Sequence, residues 1–191
     1  RDRYENKSFK TVGYKDLGVI SYDTSAIKNH VDLILSKIDT SSIKKSSLNV
    51  LIDANNGAGA VANPILFDAL NINYTIINSE PNGLFAHDPE PLKDNLNQII
   101  NELKQGEYDI GFVQDADADR LVILDEHGNF IGEDYSLALC VDYVLSYEKA
   151  DLAQKDVVVN LSTSKIINDI VAEKKGTVYQ TKIGEPQVTA K

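Results

Sequence analysis

Short apolar runs alternate along this chain with longer segments in which apolar residues recur at helical spacing. Runs rich in Val, Ile and Leu, bounded by Gly, Asn and Asp, are typical of buried strands. Segments with apolar positions three or four residues apart predict helices. The predicted strands are 48–53, 73–78, 108–113, 121–125, 156–160 and 177–180. The predicted helices are 25–38, 63–70, 92–104, 133–147 and 165–174.

Strands that alternate with helices predict an α/β fold, in which a mixed, largely parallel sheet with one hairpin lies between two helix layers. A polar segment rich in Ser and Lys, 40–47, is predicted to be a linker. We divide the chain into the end of one domain at 1–41, an α/β/α layered domain at 42–153, and the start of a second, similar domain at 154–191. Neither partial domain is predicted to hold a complete sheet.

The composition is that of a globular chain with an acidic surface. Asp and Glu number 29 against 19 Lys and Arg, which gives a formal net charge of −10. Without a basic stripe to neutralise phosphates, a nucleic-acid partner is not expected. Acidity also disfavours an anionic membrane surface, and no apolar run approaches the roughly 20 residues that a membrane-spanning helix needs.

The single cysteine and the three histidines suggest little chemistry. One Cys excludes an internal disulfide and fits a reducing cytoplasm, and Cys140 is predicted to be buried and inert because it lies within an apolar pattern. His30, His87 and His127 lack the spacing of metal ligands. We therefore predict surface or turn positions for all three.

Three aspartates at every second position interrupt the pattern between strands 108–113 and 121–125. They are Asp115, Asp117 and Asp119, separated by alanines. A solvated acidic turn would account for the charge, but close carboxylates repel one another, and a neutral turn would avoid that cost. We interpret the loop as a cation site. Carboxylate oxygens suit a hard divalent ion such as Mg²⁺, Mn²⁺ or Ca²⁺.

An EF-hand calcium loop is one alternative. The three aspartates match its first, third and fifth positions, and Glu126 falls on the twelfth. The sixth position, however, is normally Gly and here is Arg120, and the flanking runs predict strands rather than helices. A calcium-binding acidic module therefore remains the weaker interpretation.

A Rossmann-type dinucleotide-binding domain is the other alternative. Residues 57–62 fit the G-x-G-x-x-A form of its fingerprint, and Glu80 lies roughly 20 residues further along, where the fingerprint has an acidic residue. The first glycine lies several residues beyond the predicted strand, whereas the fingerprint places it close to the strand end. A turn that lets strand and helix approach closely explains the same glycines.

Several ordered motifs resemble the alpha-D-phosphohexomutases, the family of phosphoglucomutase, phosphomannomutase and phosphoglucosamine mutase. The aspartate loop is similar to their Asp-Gly-Asp-Ala-Asp-Arg magnesium loop, with Ala116 in place of Gly. Segment 51–59 resembles the first strand and turn of their second domain, and 80–92 resembles its Pro-rich connector. Segments 157–164 and 181–186 resemble the beginning of their third domain.

The resemblance implies a function for the whole enzyme. Mg²⁺ held by the three aspartates would face a phosphoserine, which exchanges phosphate with a hexose phosphate through a bisphosphate intermediate. Arg120 and Lys182 would bind phosphate. The family's phosphoserine loop, of the type Thr-Ala-Ser-His-Asn-Pro, does not occur in these residues. We therefore expect a central fragment without turnover of its own, and neither the preferred sugar nor the oligomeric state follows from the sequence.

Overall fold

The computed structural model describes residues 2–90, 92–147 and 155–191. Its helices are α1 (Asp2–Glu5), α2 (Ala26–Leu35), α3 (Thr40–Lys45), α4 (Gly59–Leu70), α5 (Asn97–Gln105), α6 (Glu133–Ser146), α7 (Ile166–Glu173) and α8 (Glu185–Thr189). Its strands are β1 (Asn49–Asp53), β2 (Asn73–Ile77), β3 (Ile110–Gln114), β4 (Leu121–Asp125), β5 (Asp156–Asn160) and β6 (Thr177–Thr181). Short 3-10 turns occur at Tyr14–Asp16 and Lys93–Asn95. Within the described ranges no helix is both long and apolar enough to cross a bilayer.

Strands β1 to β4 form one mixed sheet in the order β2-β1-β3-β4. Strand β1 is parallel to both of its neighbours, and β3 and β4 form an antiparallel hairpin. The carboxyl ends of β1, β2 and β3 therefore meet at one edge of the sheet. The aspartate loop, which joins β3 to β4, lies at this carboxyl edge, where α/β sheets commonly bind ligands.

Alternate residues of β1 face two separate cores, so the sheet is covered on both sides. Leu51 packs with the apolar residues of α5, among them Ile99 and Leu103. Val50 and Ile52 point the other way, toward Phe67 of α4. Because side chains alternate between the faces of a strand, this pattern produces the predicted three layers with a largely parallel sheet.

A second, smaller unit begins with α6. Strands β5 and β6 form a two-stranded parallel sheet. Its core contains residues from α6, β5 and α7, namely Ala138, Leu145, Val159, Ile167 and Val171. The predicted boundary between 153 and 154 falls on residues outside the described ranges and stays a prediction. The packing of α6 favours a division ahead of that helix.

The structure departs from the predicted helices in several places: α2 ends at Leu35 and not at 38, and α8 was not predicted. Helix α4 begins at Gly59 and not at 63, because Pro64 in its second turn removes only one backbone hydrogen bond. The predicted linker 40–47 contains α3, whose first turn is capped by Asp39, which accepts a hydrogen bond from the Ser41 amide at 3.0 Å. The predicted helix 92–104 starts as the 3-10 turn Lys93–Asn95 before α5.

Cys140 is exposed on α6, so the prediction of a buried thiol was wrong. Apolar residues near Cys140 occupy both the buried and the exposed faces of α6. Leu137, Leu139 and Tyr143 are also largely exposed, and only one stripe of α6 reaches the core.

Candidate metal site

The aspartate loop, residues 115–120, is a tight turn at the carboxyl end of β3. The Asp115 amide donates to the carbonyl of Arg120 at 3.4 Å, which closes the turn. Inside it, the Ala118 amide donates to the Asp115 carbonyl at 3.2 Å, and Ala118 has a left-handed backbone with φ of 62°. That conformation is costly for a residue with a Cβ and is typical of functional turns.

The turn brings the three aspartates together. One carboxylate oxygen from each of Asp115, Asp117 and Asp119 lies within 4.8 Å of the other two. Opposite ligands of an octahedral Mg²⁺ are about 4.2 Å apart, twice a bond of about 2.1 Å. The limit of 4.8 Å lies slightly above that span, and it is the all-oxygen donor set that suits a hard divalent cation. Asp115 is buried while the other two are exposed, which leaves one side of the cluster open.

Arg120 balances part of this charge. Its Nε donates to Asp115 Oδ2 at 2.7 Å, and its backbone amide donates to Asp115 Oδ1 at 3.1 Å. The Nη1 group reaches Glu90 Oε1 at 3.2 Å. About half of the side chain, 47%, remains exposed. Arg120 thus orients Asp115 and still presents guanidinium hydrogens to solvent, where an oxyanion could be bound.

The aspartates differ in their ionisation. Burial acts to raise the pKa of Asp115, but hydrogen bonds from the Arg120 side chain and backbone outweigh it, and the resulting pKa lies below the ordinary value. The pKa of Asp119 is raised, first by its hydrogen bond with Asp115 and then by repulsion from Asp117. Asp115 is thus fixed as a carboxylate, and the outer aspartates carry repulsion that a cation would relieve.

The glycine turn at the start of α4 packs against the aspartate loop. The Ala58 amide donates to the Ala116 carbonyl at 2.9 Å. A Cβ on Gly57 would collide with the Ala116 backbone, and one on Gly59 with the Gln114 side chain. The glycines make room for this chain itself rather than for a pyrophosphate, so they do not favour the Rossmann interpretation. The strands that flank the aspartates likewise depart from the helices of an EF-hand.

The connector, residues 80–90, is held on the same carboxyl edge by two asparagines. Asn55 is fully buried, and its Oδ1 accepts from the amides of Ala86 at 2.9 Å and His87 at 3.2 Å. Asn56 donates from Nδ2 to the Leu84 carbonyl at 2.8 Å. Both asparagines have left-handed backbones, which direct their side chains into the connector.

The half-buried His87 pairs with the buried Asp53, which the pattern of the sequence did not indicate. His87 was predicted at the surface or in a turn, but its side chain is only 12% exposed, and its Nε2 lies 3.3 Å from Asp53 Oδ2. Asp53 is buried at the end of β1 and accepts hydrogen bonds from the Asn55 amide and the Asn78 side chain. The sequence shows only an aspartate that ends an apolar strand and a histidine two residues before Pro89, and neither feature indicates that the two pair.

Lys182 follows β6 of the second unit and is exposed. Among the described residues, no ion pair or side-chain hydrogen bond joins it to the aspartate loop. The structure therefore brings Arg120 to the aspartates directly, and the predicted phosphate-binding role of Lys182 stays a prediction.

Comparison with known proteins gives a consistent family. The family model described as phosphoglucomutase/phosphomannomutase, alpha/beta/alpha domain II, matches residues 28–128, and that of domain III matches residues 132–191. A phosphoglucomutase/phosphomannomutase of Thermococcus kodakarensis is 33% identical over 94% of this chain and 39% of its own length. A probable phosphoglucosamine mutase of Methanococcoides burtonii is 34% identical over 96% of this chain and 40% of its own.

The solved structures agree. A phosphoglucomutase/phosphomannomutase family protein from Burkholderia thailandensis superimposes with a TM-score of 0.78 and 27% identity over 99% of this chain and 39% of its own. The chain thus spans about two fifths of the length of these relatives. With the layered fold, the aspartate loop and both domain matches in agreement, the chain belongs to the alpha-D-phosphohexomutase family.

Proposed function

We propose that the aspartate loop binds Mg²⁺ and that this chain supplies the metal-holding part of a phosphohexomutase. The observation that carries the proposal is the convergence of three carboxylate oxygens within 4.8 Å at the carboxyl edge of the sheet. A cluster of like charges in a strained turn is favourable only when a cation offsets the repulsion.

In the whole enzyme, the proposed reaction interconverts hexose 1-phosphate and hexose 6-phosphate through a phosphoserine and a bisphosphate intermediate. Phosphoryl transfer depends on positioning and on neutralising charge. When bound at the aspartates, Mg²⁺ would offset the charge of a phosphoryl group placed beside them. Arg120 is suited to bind a phosphate oxygen because part of its guanidinium remains exposed. Lys182 would contribute a second positive charge from the other unit.

Arg120 and Lys182 have different proposed roles. Arg120 already holds Asp115, so it orients a metal ligand even when no phosphate is present. Lys182 would act on substrate alone. The chain by itself should show no mutase turnover, because no phosphoserine loop of the family type occurs in its residues. The proposed location of the enzyme is the cytoplasm, where a chain with one exposed thiol stays reduced.

Calorimetric titration with Mn²⁺ and Ca²⁺ tests the metal site on this chain. We expect weak Mn²⁺ binding, because a phosphoserine oxygen would be needed to complete the coordination. Asp117→Asn should lower the Mn²⁺ affinity about 10-fold or more. Even a residue that only hydrogen-bonds to a metal ligand contributes about 10-fold to metal affinity. A control titration with NAD should give no heat of binding.

Glu126→Gln is the matched control, because it separates the two metal hypotheses. Glu126 would be the ligand at the twelfth position of an EF-hand loop but lies outside the aspartate cluster. The proposal predicts unchanged Mn²⁺ binding in this variant. Tight Ca²⁺ binding that Glu126→Gln abolishes would refute the proposal, as would Mn²⁺ binding that survives Asp117→Asn.

A further inference from the structure

The pair of buried Asp53 and half-buried His87 lies on the carboxyl edge, behind the residues that contact the aspartate loop. We propose that His87 is a positioning residue for this loop. As an imidazolium held by Asp53, it fixes the connector so that Glu90 meets Arg120. The importance of this positioning for catalysis rests on the proposed function. The contacts themselves lie within this chain and are tested without it.

Hydrogen-bond geometry assigns the charge of His87. Its Nδ1 lies 2.8 Å from the Asp88 carbonyl, which can only accept, so Nδ1 carries a proton. In a neutral ring the electron-rich Nε2 would then lie 3.3 Å from the Asp53 carboxylate, with no described group donating to it, and the two would repel. Nε2 is buried, and no described group makes a well-aligned hydrogen bond to it. A second proton on Nε2 removes the repulsion and completes an ion pair.

The surroundings of Asp53 support the same assignment. Asn55 and Asn78 donate neutral hydrogen bonds to this carboxylate, but its only cationic neighbour among the described ion pairs is His87. A buried carboxylate is expensive unless it is paired. The ionisable groups that face His87 are Asp53 and Asp88, and both are acidic.

The pKa of His87 moves in the direction this geometry requires. The hydrogen-bonding interaction with Asp53 raises the pKa above its ordinary value of 6.5, burial opposes the rise, and Asp88 adds to it. A raised pKa in the folded state means that the ion pair is complete below about pH 6.5. The restraint on the connector is then lost as the pH rises through the higher, folded-state value.

A short, well-braced segment joins His87 to the aspartate loop. The Glu90 amide donates to Asp88 Oδ1 at 3.1 Å, and its carbonyl accepts from Asn95 Nδ2 at 2.9 Å. Glu90 Oε1 then receives Arg120 Nη1 at 3.2 Å. Since only two residues separate His87 from Glu90, a fixed imidazole restricts where the Glu90 carboxylate can reach.

Nuclear magnetic resonance of the 191-residue chain tests both steps without any metal. Three histidine ring signals are present, and substitution of His87 assigns its own. We expect the pKa of His87 to lie above its ordinary value of 6.5. Asp53→Asn should lower the His87 pKa by about one unit or more, the usual effect of removing an adjacent opposite charge.

The second readout is hydrogen exchange at the Arg120 Nη groups, where Glu90 binds, measured relative to the Nη groups of the exposed Arg3 to cancel the intrinsic pH dependence. We expect relative exchange at Arg120 to speed up as His87 deprotonates. His87→Gln should increase it about tenfold, corresponding to roughly 1.4 kcal/mol, while the matched variant His127→Gln should leave it unchanged. Glu90→Gln should free Arg120 Nη1 while Nε stays bound to Asp115, and it should leave the pKa of His87 unchanged, which separates the two steps.

Either of two results would overturn the inference. One is a His87 pKa that does not exceed 6.5 or does not change in Asp53→Asn, and the other is Arg120 exchange that is insensitive to the charge of His87. If His87→Gln does not fold, the pH titration of the unmodified chain still tests whether Arg120 exchange follows the charge of His87. Absence of Mn²⁺ binding would refute the proposed function and leave these readouts unaffected, so the two failures are distinguishable.

Discussion

At Gly57 the space for a single methyl group is already taken by the backbone of Ala116. The contact joins the turn before α4 to the aspartate loop, so a side chain here would push the two segments apart. Gly57→Ala should lower the free energy of unfolding by about 1–3 kcal/mol, the usual cost of overpacking. Urea denaturation followed by circular dichroism measures this loss.

Gly18→Ala is the control for that substitution, because a Cβ at Gly18 meets nothing within 4 Å and the backbone there is unstrained. If Gly57→Ala unfolds at the same urea concentration as Gly18→Ala, the close approach does not constrain the loop. A loss confined to Gly57→Ala would also predict weaker Mn²⁺ binding by that variant.

Single residues also show what the sequence could and could not reveal about the site. The aspartates were recognisable because alternating carboxylates are rare in a turn, and the structure does cluster them. His87 was not recognisable, because its partner Asp53 lies in another element and burial of a polar pair leaves no periodic pattern. The roles of the aspartates, Arg120 and Lys182 in binding remain predictions.

Among the elements, α3 depends on one capping side chain. Asp39 accepts from the Ser41 amide and hydroxyl and from the Ser42 hydroxyl. These hydrogen bonds, with the Ser41 hydroxyl first, hold the pKa of Asp39 far below its ordinary value of 3.8. A depressed folded-state pKa means that the cap is intact above about pH 4 and is lost as the pH falls through the lower value.

We therefore expect α3 to lose helical structure in acid before the sheet does. Amide chemical shifts of Ser41 to Lys45, followed from pH 5 downward, should move toward random-coil values. In Asp39→Asn the same shifts should stay constant, because asparagine caps a helix without titrating. Equal pH dependence in both proteins would show that Asp39 is not the titrating group.

The strands were predicted far better than the helix starts. All six lie within two residues of their predicted bounds, since short apolar runs between polar turns end where the sheet ends. Helix α3 was missed because its stability comes from the Asp39 cap and not from an apolar stripe. The early start of α4 was missed because its first turn opens with Gly59 and its second holds Pro64, and neither residue type favours a helix.

The two units of the whole molecule have unequal cores. The first unit buries two clusters, one on each face of a four-stranded sheet. The second has one cluster on a two-stranded sheet, and sheets of that size are marginal by themselves. We expect amides of β5 and β6 to exchange with solvent faster than those of β1 and β3, as hydrogen-exchange mass spectrometry can show.

Leu145→Ala should sharpen that difference. The residue is buried in the cluster of the second unit, so its truncation should cost about 2–5 kcal/mol there and leave exchange in β1 unchanged. Uniform acceleration across both sheets would mean that the chain unfolds as one cooperative body, contrary to this expectation.

The central place of β1 in the sheet also governs the order of events during folding. The contact between Asn49 and Asp109, beside the β1–β3 pairing, joins residues 60 positions apart, so it must await closure of a long loop. The β3–β4 hairpin closes only a short turn, and hairpins form in about 1–10 μs. During refolding of the whole chain we therefore expect the hairpin to bring the three aspartates together before β1, the glycine turn and the connector pack against them.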